Sequence, residues 1–163
     1  MARKLLKHYQ SKQRSVEERM EIGKKLRSKF PRIKQGEYHP SRKRTDPVSI
    51  LEGQAKTRLS DLIPIRYARM LTSPFAFLRG GAAIMAADLA AHGKTTGLQV
   101  QACGDMHMAN FGIFASAERN LIFGINDFDE TLPGPWEWDL KRLVASVVAG
   151  GRFLGANKGL CKD

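Results

Sequence analysis

The sequence predicts an α+β fold in which a small antiparallel hairpin unit is packed by helices and a basic helical arm lies outside. Three observations predict it. Between Leu98 and Thr131, three short apolar runs (98–103, 111–115 and 121–125) are separated by turn-type residues, the pattern of strands. On either side, longer stretches repeat apolar residues at helical spacing and carry cap residues. The charge is also segregated: residues 1–44 hold 15 Lys or Arg against 4 Asp or Glu, whereas residues 45–163 hold 12 of each. Nearly all of the formal net charge of +11 therefore sits on an arm and linker, residues 1–46, ahead of a nearly neutral body, residues 47–163.

Residues 1–30 read as one or two basic helices with a loose apolar stripe that includes Leu5, Leu6, Tyr9, Met20 and Leu26, ended by Pro31. Residues 31–46 read as a charged linker. Its Arg42-Lys43-Arg44 cluster could grip the phosphates of a nucleic acid or an anionic surface; a solvated linker is preferred, because no aromatic stacking platform is interleaved. Asp46-Pro47 predicts the start of a helix running to about Leu59. Ser60 or Asp61 caps the next, which spans Ile65 to Leu71 and puts Arg66 and Arg69 on one face. Ser73-Pro74 is expected to break it, leaving Phe75, Phe77 and Leu78 as a short apolar step before Arg79-Gly80-Gly81. The Ala-rich stretch 82–92 predicts a helix packed beneath the hairpin. Its His92 has a structural reading, since it suits a helix C-terminus.

Next come the chemically suggestive residues. Asp105 follows the first strand, and Asp127 follows the third. The turn Ser116–Asn120 would fold the second and third strands together and return Asp127 to Asn110. Asp105, Asn110, Asp127 and Asp129 are thus candidate oxygen ligands for one hard cation, magnesium or manganese. His107 could order the loop, touch a phosphate or bind metal; the ordering role is preferred. Leu132-Pro133-Gly134-Pro135 reads as a rigid turn. Trp136 to about Phe153 reads as a helix with Leu140, Leu143, Val144, Val147 and Val148 turned inward, Trp136 and Trp138 as core anchors, and Lys141, Arg142 and Arg152 on the wet side.

Asp105-x-x-x-x-Asn110, then a hairpin, then Asp127-Phe128-Asp129, resembles the catalytic core of the protein-kinase-like phosphotransferases, especially the aminoglycoside phosphotransferase branch. The resemblance implies a partial kinase-like lobe. It makes Asp105 the base that takes a hydroxyl proton. Asn110 and Asp127 become ligands of magnesium on ATP, with Asp129 a further ligand. Trp138-Asp139-Leu140 looks like the element in that branch whose Asp, here Asp139, braces the catalytic loop. Arg66, Arg69 and His107 could then face the nucleotide phosphates, the alternative for the two arginines being surface side chains paired with acids. No glycine-rich loop followed by a strand Lys is found upstream. Longer strings, IPIRYARMLTSPFAFLRGGAAIMAADLA, CGDMHMANFG and NDFDETLPGPWEWDLKRLVAS, resemble the bacterial family called domain of unknown function 2252 over about Leu62 to Gly151. Members of that family are longer, so the chain reads as a truncated N-terminal part.

Two cysteines, Cys103 and Cys161, make neither a disulfide framework nor a metal-ligand spacing, which suits a reducing cytoplasm. No signal peptide or membrane span is evident. Three functions compete: a magnesium- and ATP-dependent phosphotransferase acting on a hydroxyl-bearing substrate, weak or inactive in this chain; a non-catalytic remnant or basic-armed binding protein; and a metal-dependent phosphoesterase. The last is disfavoured because only four His are present, two of them in the arm.

Overall fold

The computed structural model describes residues 14–157 and 159. Leu5, Leu6, Tyr9 and Cys161 lie outside the described residues. The chain is a mixture of helices and small antiparallel sheets, in accord with the α+β class.

Helix α1, Val16–Lys29, starts at Ser15, whose side chain accepts from Glu18 N–H while the Glu18 carboxylate accepts from Ser15 N–H. It buries no residue. The linker is less free than its composition predicts. It forms a short 3-10 turn, Arg32–Gly36, and Arg44 makes a two-pronged ion pair with Asp88, both bonds 2.7 Å. Arg44 is therefore already paired with a carboxylate and is not a spare cation.

Helix α2 spans Pro47–Ala55, four residues shorter than predicted, with Asp46 accepting from Ser49 N–H at its start. Helix α3 spans Leu62–Met70. The stretch after it is not a bare step but a third short helix, α4, Pro74–Gly80. Ser73-Pro74 breaks one helix by starting another: Ser73 Oγ accepts from Ala76 N–H at 3.0 Å, and Pro74 occupies a first-turn position where its missing N–H costs nothing. Helix α5, Ala82–His92, packs on α2 and on the last helix, α6 (Trp136–Phe153), rather than forming a floor for the hairpin. Leu51, Met70 and Ile84 form a small apolar core, flanked by Ile50 and Tyr67.

The strands form two separate ribbons. β2 (Phe111–Ala115) and β3 (Leu121–Ile125) make the predicted hairpin, in register Phe111 to Ile125 through Ala115 to Leu121. β1 (Gln99–Ala102) does not join it. It pairs with β4, Leu132–Pro135, the segment predicted as a turn. Proline is tolerated there because a two-stranded ribbon consists of edges, and Pro133 and Pro135 need donate nothing on their outer side.

Helix α6 holds the largest departure from expectation. Its period is as predicted, but the stripe buried deepest is a polar one, and of the predicted inward face only Leu143 and Val148 are half-buried. Glu137, Asp139, Arg142, Ser146 and Gly150 are buried, whereas Leu140, Val144 and Val147 are 42%, 54% and 54% exposed. Trp136 and Trp138 are only partly buried. The buried side is polar because the helix is bonded to the loops that cross it. Glu137 Oε1 accepts from Thr96 N–H and Oγ1–H, both at 2.6 Å. Ser146 Oγ accepts from Met108 N–H at 2.9 Å and donates to Leu143 O.

Candidate functional site

The loop between β1 and β2 is shaped from below by α6. Asp139 places one carboxylate oxygen on Cys103 N–H (2.7 Å) and the other on Gly104 N–H (3.1 Å). One buried and one half-buried backbone donor are thereby satisfied by one charged side chain. Gly104 turns the chain at φ +88°, and a Cβ there would lie 2.2 Å from the Glu130 carbonyl oxygen. The loop can pass this point only as glycine. Cys103 is a free, buried thiol that donates to Asp127 O at 3.3 Å, and burial pushes its pKa up. It is poorly suited to be a nucleophile.

Beyond the turn, Asp105 meets Arg142. The Arg142 Nε–H donates to Asp105 Oδ1 at 2.5 Å, Nη2 also reaches that oxygen, and Nη2 donates to Leu78 O at 2.7 Å. Arg142, assigned to the wet side from sequence, is 3% exposed. The other Asp105 oxygen lies 3.7 Å from His107 Nε2, too far for a direct hydrogen bond. His107 is buried edge-on against Phe75, and its Nδ1 has no partner among the described residues. Burial lowers its pKa most; Asp105 opposes this, while Arg79 and Arg142 add to it. The imidazole is therefore neutral near pH 7. Asn110 donates from Nδ2 to Asp105 O at 2.8 Å, which ties the loop to itself and leaves Oδ1 as its accepting atom. The Asn110 main-chain carbonyl accepts from Asn126 N–H, bringing the end of β3 alongside.

These groups open onto a cleft of about 360 Å³. Asp105, His107, Asn110 and Asp127 line it together with Arg66, Arg69 and Arg79, which come from α3 and α4. Arg66 is fixed by donating to Gly80 O at 2.6 Å, and burial, then the nearby Arg58 charge, pushes its pKa down. Arg79 carried no role in the sequence reading, although it stands directly before the Gly80-Gly81 pair. Asp129 does not line the cleft. It is exposed, and its N–H donates to Asp127 Oδ1 at 3.2 Å.

Among the described residues, no group of three or more His, Cys, Asp or Glu side chains is arranged to hold a metal ion. One Asp105 oxygen is occupied by Arg142, and the three arginines repel a bare cation. Asp127, Asn110 Oδ1 and the second Asp105 oxygen are the remaining side-chain oxygen donors on the cleft, and the Asp105 charge is already shared with Arg142. That is too few for a protein-only centre, but it fits a magnesium ion that arrives on phosphate oxygens and keeps waters. Among the described residues, no single helix is long and apolar enough to cross a membrane.

No curated protein and no solved structure matches the chain. One family profile matches residues 58–163, a span that contains every residue of the cleft. The chain belongs to that family, described as an uncharacterized protein conserved in bacteria (DUF2252).

Proposed function

We propose that the cleft is the phosphate-handling part of a kinase-like phosphotransferase that moves a phosphoryl group from ATP to a hydroxyl. The observation that carries this reading is the pairing of three arginines with Asp105, Asn110 and Asp127 in one cleft. Arg66, Arg69 and Arg79 supply planar donors that match phosphate oxygens and would neutralise charge as the group transfers. Asp105, held in place by Arg142, is oriented to accept the proton of an attacking hydroxyl through its unpaired oxygen. Magnesium, when bound with the nucleotide, supplies further charge neutralisation, and Asn110 and Asp127 are the residues that would hold it. A cytoplasmic setting goes with the free thiol of Cys103 and with ATP as donor.

The test is calorimetric titration with a magnesium complex of a non-hydrolysable ATP analogue. Saturable binding is expected, weakened about tenfold, or about 1.4 kcal/mol, by Arg69→Ala and again by Asp127→Asn. Turnover by this chain is expected to be slow, so binding is the readout. A folded chain that binds neither the analogue nor inorganic pyrophosphate refutes the reading. Binding that survives both substitutions refutes the placement of the site. Binding without any phosphotransfer to an added alcohol favours a non-catalytic binding protein, for which the occupied Asp105 oxygen is the supporting observation.

A further inference from the structure

Away from the cleft, α5 and α6 form the floor of a second groove, of about 400 Å³. Its walls are mostly apolar: Met85 and Leu89 come from α5, Leu140 and Val144 from α6, and Tyr38 from the linker. The Arg44–Asp88 ion pair ties the linker to α5 beside it. At one end the groove shares Glu37, His92 and Lys141 with a smaller polar recess of about 140 Å³, to which Lys34, His39 and Lys94 are added. Lys34, Lys94 and Lys141 make no ion pair among the described residues. Glu37 is the one carboxylate lining the recess among those residues, and Asp88 in the groove is already neutralised by Arg44.

An apolar trough that ends at three unpaired ammonium groups has a definite chemical complement. We propose that this groove binds a small amphiphile, its alkyl chain lying along Leu89 and Val144 and its carboxylate or phosphate head lodged against Lys94 and Lys141. The volume falls in the range of small-molecule sites, about 300–1,000 Å³. Covering Leu140 and Val144 removes apolar surface from water, which favours a chain over a compact polar ligand. An anionic head gives Lys141 the partner it lacks; burial already pushes that ammonium below its usual pKa. The groove is independent of the phosphate-handling cleft, since no residue lines both.

The experiment is isothermal titration with dodecyl phosphate and with dodecanoate, both below their micelle concentrations. Butyl phosphate and dodecyltrimethylammonium serve as controls. Saturable binding of one equivalent of either anion is expected, at least tenfold tighter than both controls. Lys94→Glu with Lys141→Glu should weaken it tenfold or more, and so should Val144→Glu, which places a charge at an exposed position and so leaves the fold intact by circular dichroism. The preferred head then distinguishes a fatty-acid-like from a phospholipid-like ligand. Arg69→Ala should leave this binding unchanged. Equal affinity for the cationic amphiphile, non-saturable uptake, or indifference to both sets of substitutions overturns the proposal in favour of adsorption to exposed apolar surface.

Discussion

Replacing Asp105 with Ala should destabilise the chain more than replacing Asp105 and Arg142 together. The reason lies in where the two charges sit. The Arg142 side chain is 4% exposed and that of Asp105 21%. Removing one member of a buried pair strands the other charge, at a cost of about 3–5 kcal/mol. Water reaches Asp105, so the lower end, about 3 kcal/mol, applies to Asp105→Ala. In Asp105→Ala with Arg142→Met the stranded charge is gone. What remains is the loss of the bond to Leu78 O, about 1 kcal/mol. The double variant should therefore be about 2 kcal/mol more stable than Asp105→Ala. Arg142→Met, which strands Asp105, completes the double-mutant cycle, and the coupling should be at least that large. Urea unfolding followed by far-UV circular dichroism reads this directly. With m of about 1–3 kcal/mol/M, the single variant should lose about 1–3 M in midpoint, and the double variant should recover most of it. A single variant within about 0.5 kcal/mol of the parent, or a cycle that is simply additive, would refute the argument. The result also bears on function. If the pair is this strongly coupled, lost activity in Asp105→Ala does not by itself identify a general base, and Asp105→Asn on a folded background becomes the informative variant.

Two further predictions concern the same loop. Gly104→Ala should cost about 1–3 kcal/mol through its positive φ alone, and the approach to Glu130 O should add to that. Gly97→Ala, also at positive φ (+82°) but facing open space, is the control; equal losses in melting temperature would falsify the steric part of the explanation. His107 makes stability sensitive to mild acid. Its pKa is lowered in the folded state, so the unfolded chain binds the proton first, and stability falls as pH drops through the ordinary histidine range, about 6.5. Glu130, raised by burial and then by Asp105, acts in the opposite sense at lower pH. Comparing urea midpoints at pH 7.5 and 5.5 for the parent and His107→Gln should show a smaller acid loss in the variant; an identical loss in both would remove His107 as the cause.

Local chemistry was the legible part of this sequence. Ser116–Asn120 between two apolar runs announced the β2–β3 hairpin, and Asp46-Pro47 announced α2, because turn and cap residues act over a few positions. Ser73-Pro74 was misread because the same dipeptide ends one helix and starts another, and only the following Ala76 N–H decides between them. β4 was hidden by its two prolines, whose disfavour in sheets lapses in a two-stranded ribbon. For α6, apolar periodicity located a stripe but not the side facing the protein. Asp139, Arg142 and Ser146, spaced by three and four, formed a rival stripe, and that polar stripe is the buried one. The loop residues of the cleft stood out by type and spacing. Arg79 and Arg142 did not, since an arginine in a helix looks the same in sequence whether it meets water or a carboxylate.

The polar underside of α6 also limits what length changes the gene can accept. Thr96, Cys103, Gly104, Asp105 and Met108 bond to four positions spread along ten residues of one helix, from Glu137 to Ser146, with Cys103 and Gly104 sharing Asp139. Inserting or deleting a single residue inside that span would rotate everything beyond it by about 100°, since an α-helix has 3.6 residues per turn. Hydrophobic packing can re-form around such a rotation by exchanging one methyl for another. Directional bonds to fixed backbone atoms cannot. Indels should therefore be excluded from residues 137–146 in any library of this chain that retains its fold, while point substitutions on the outward positions Leu140, Val144 and Val147 pass freely.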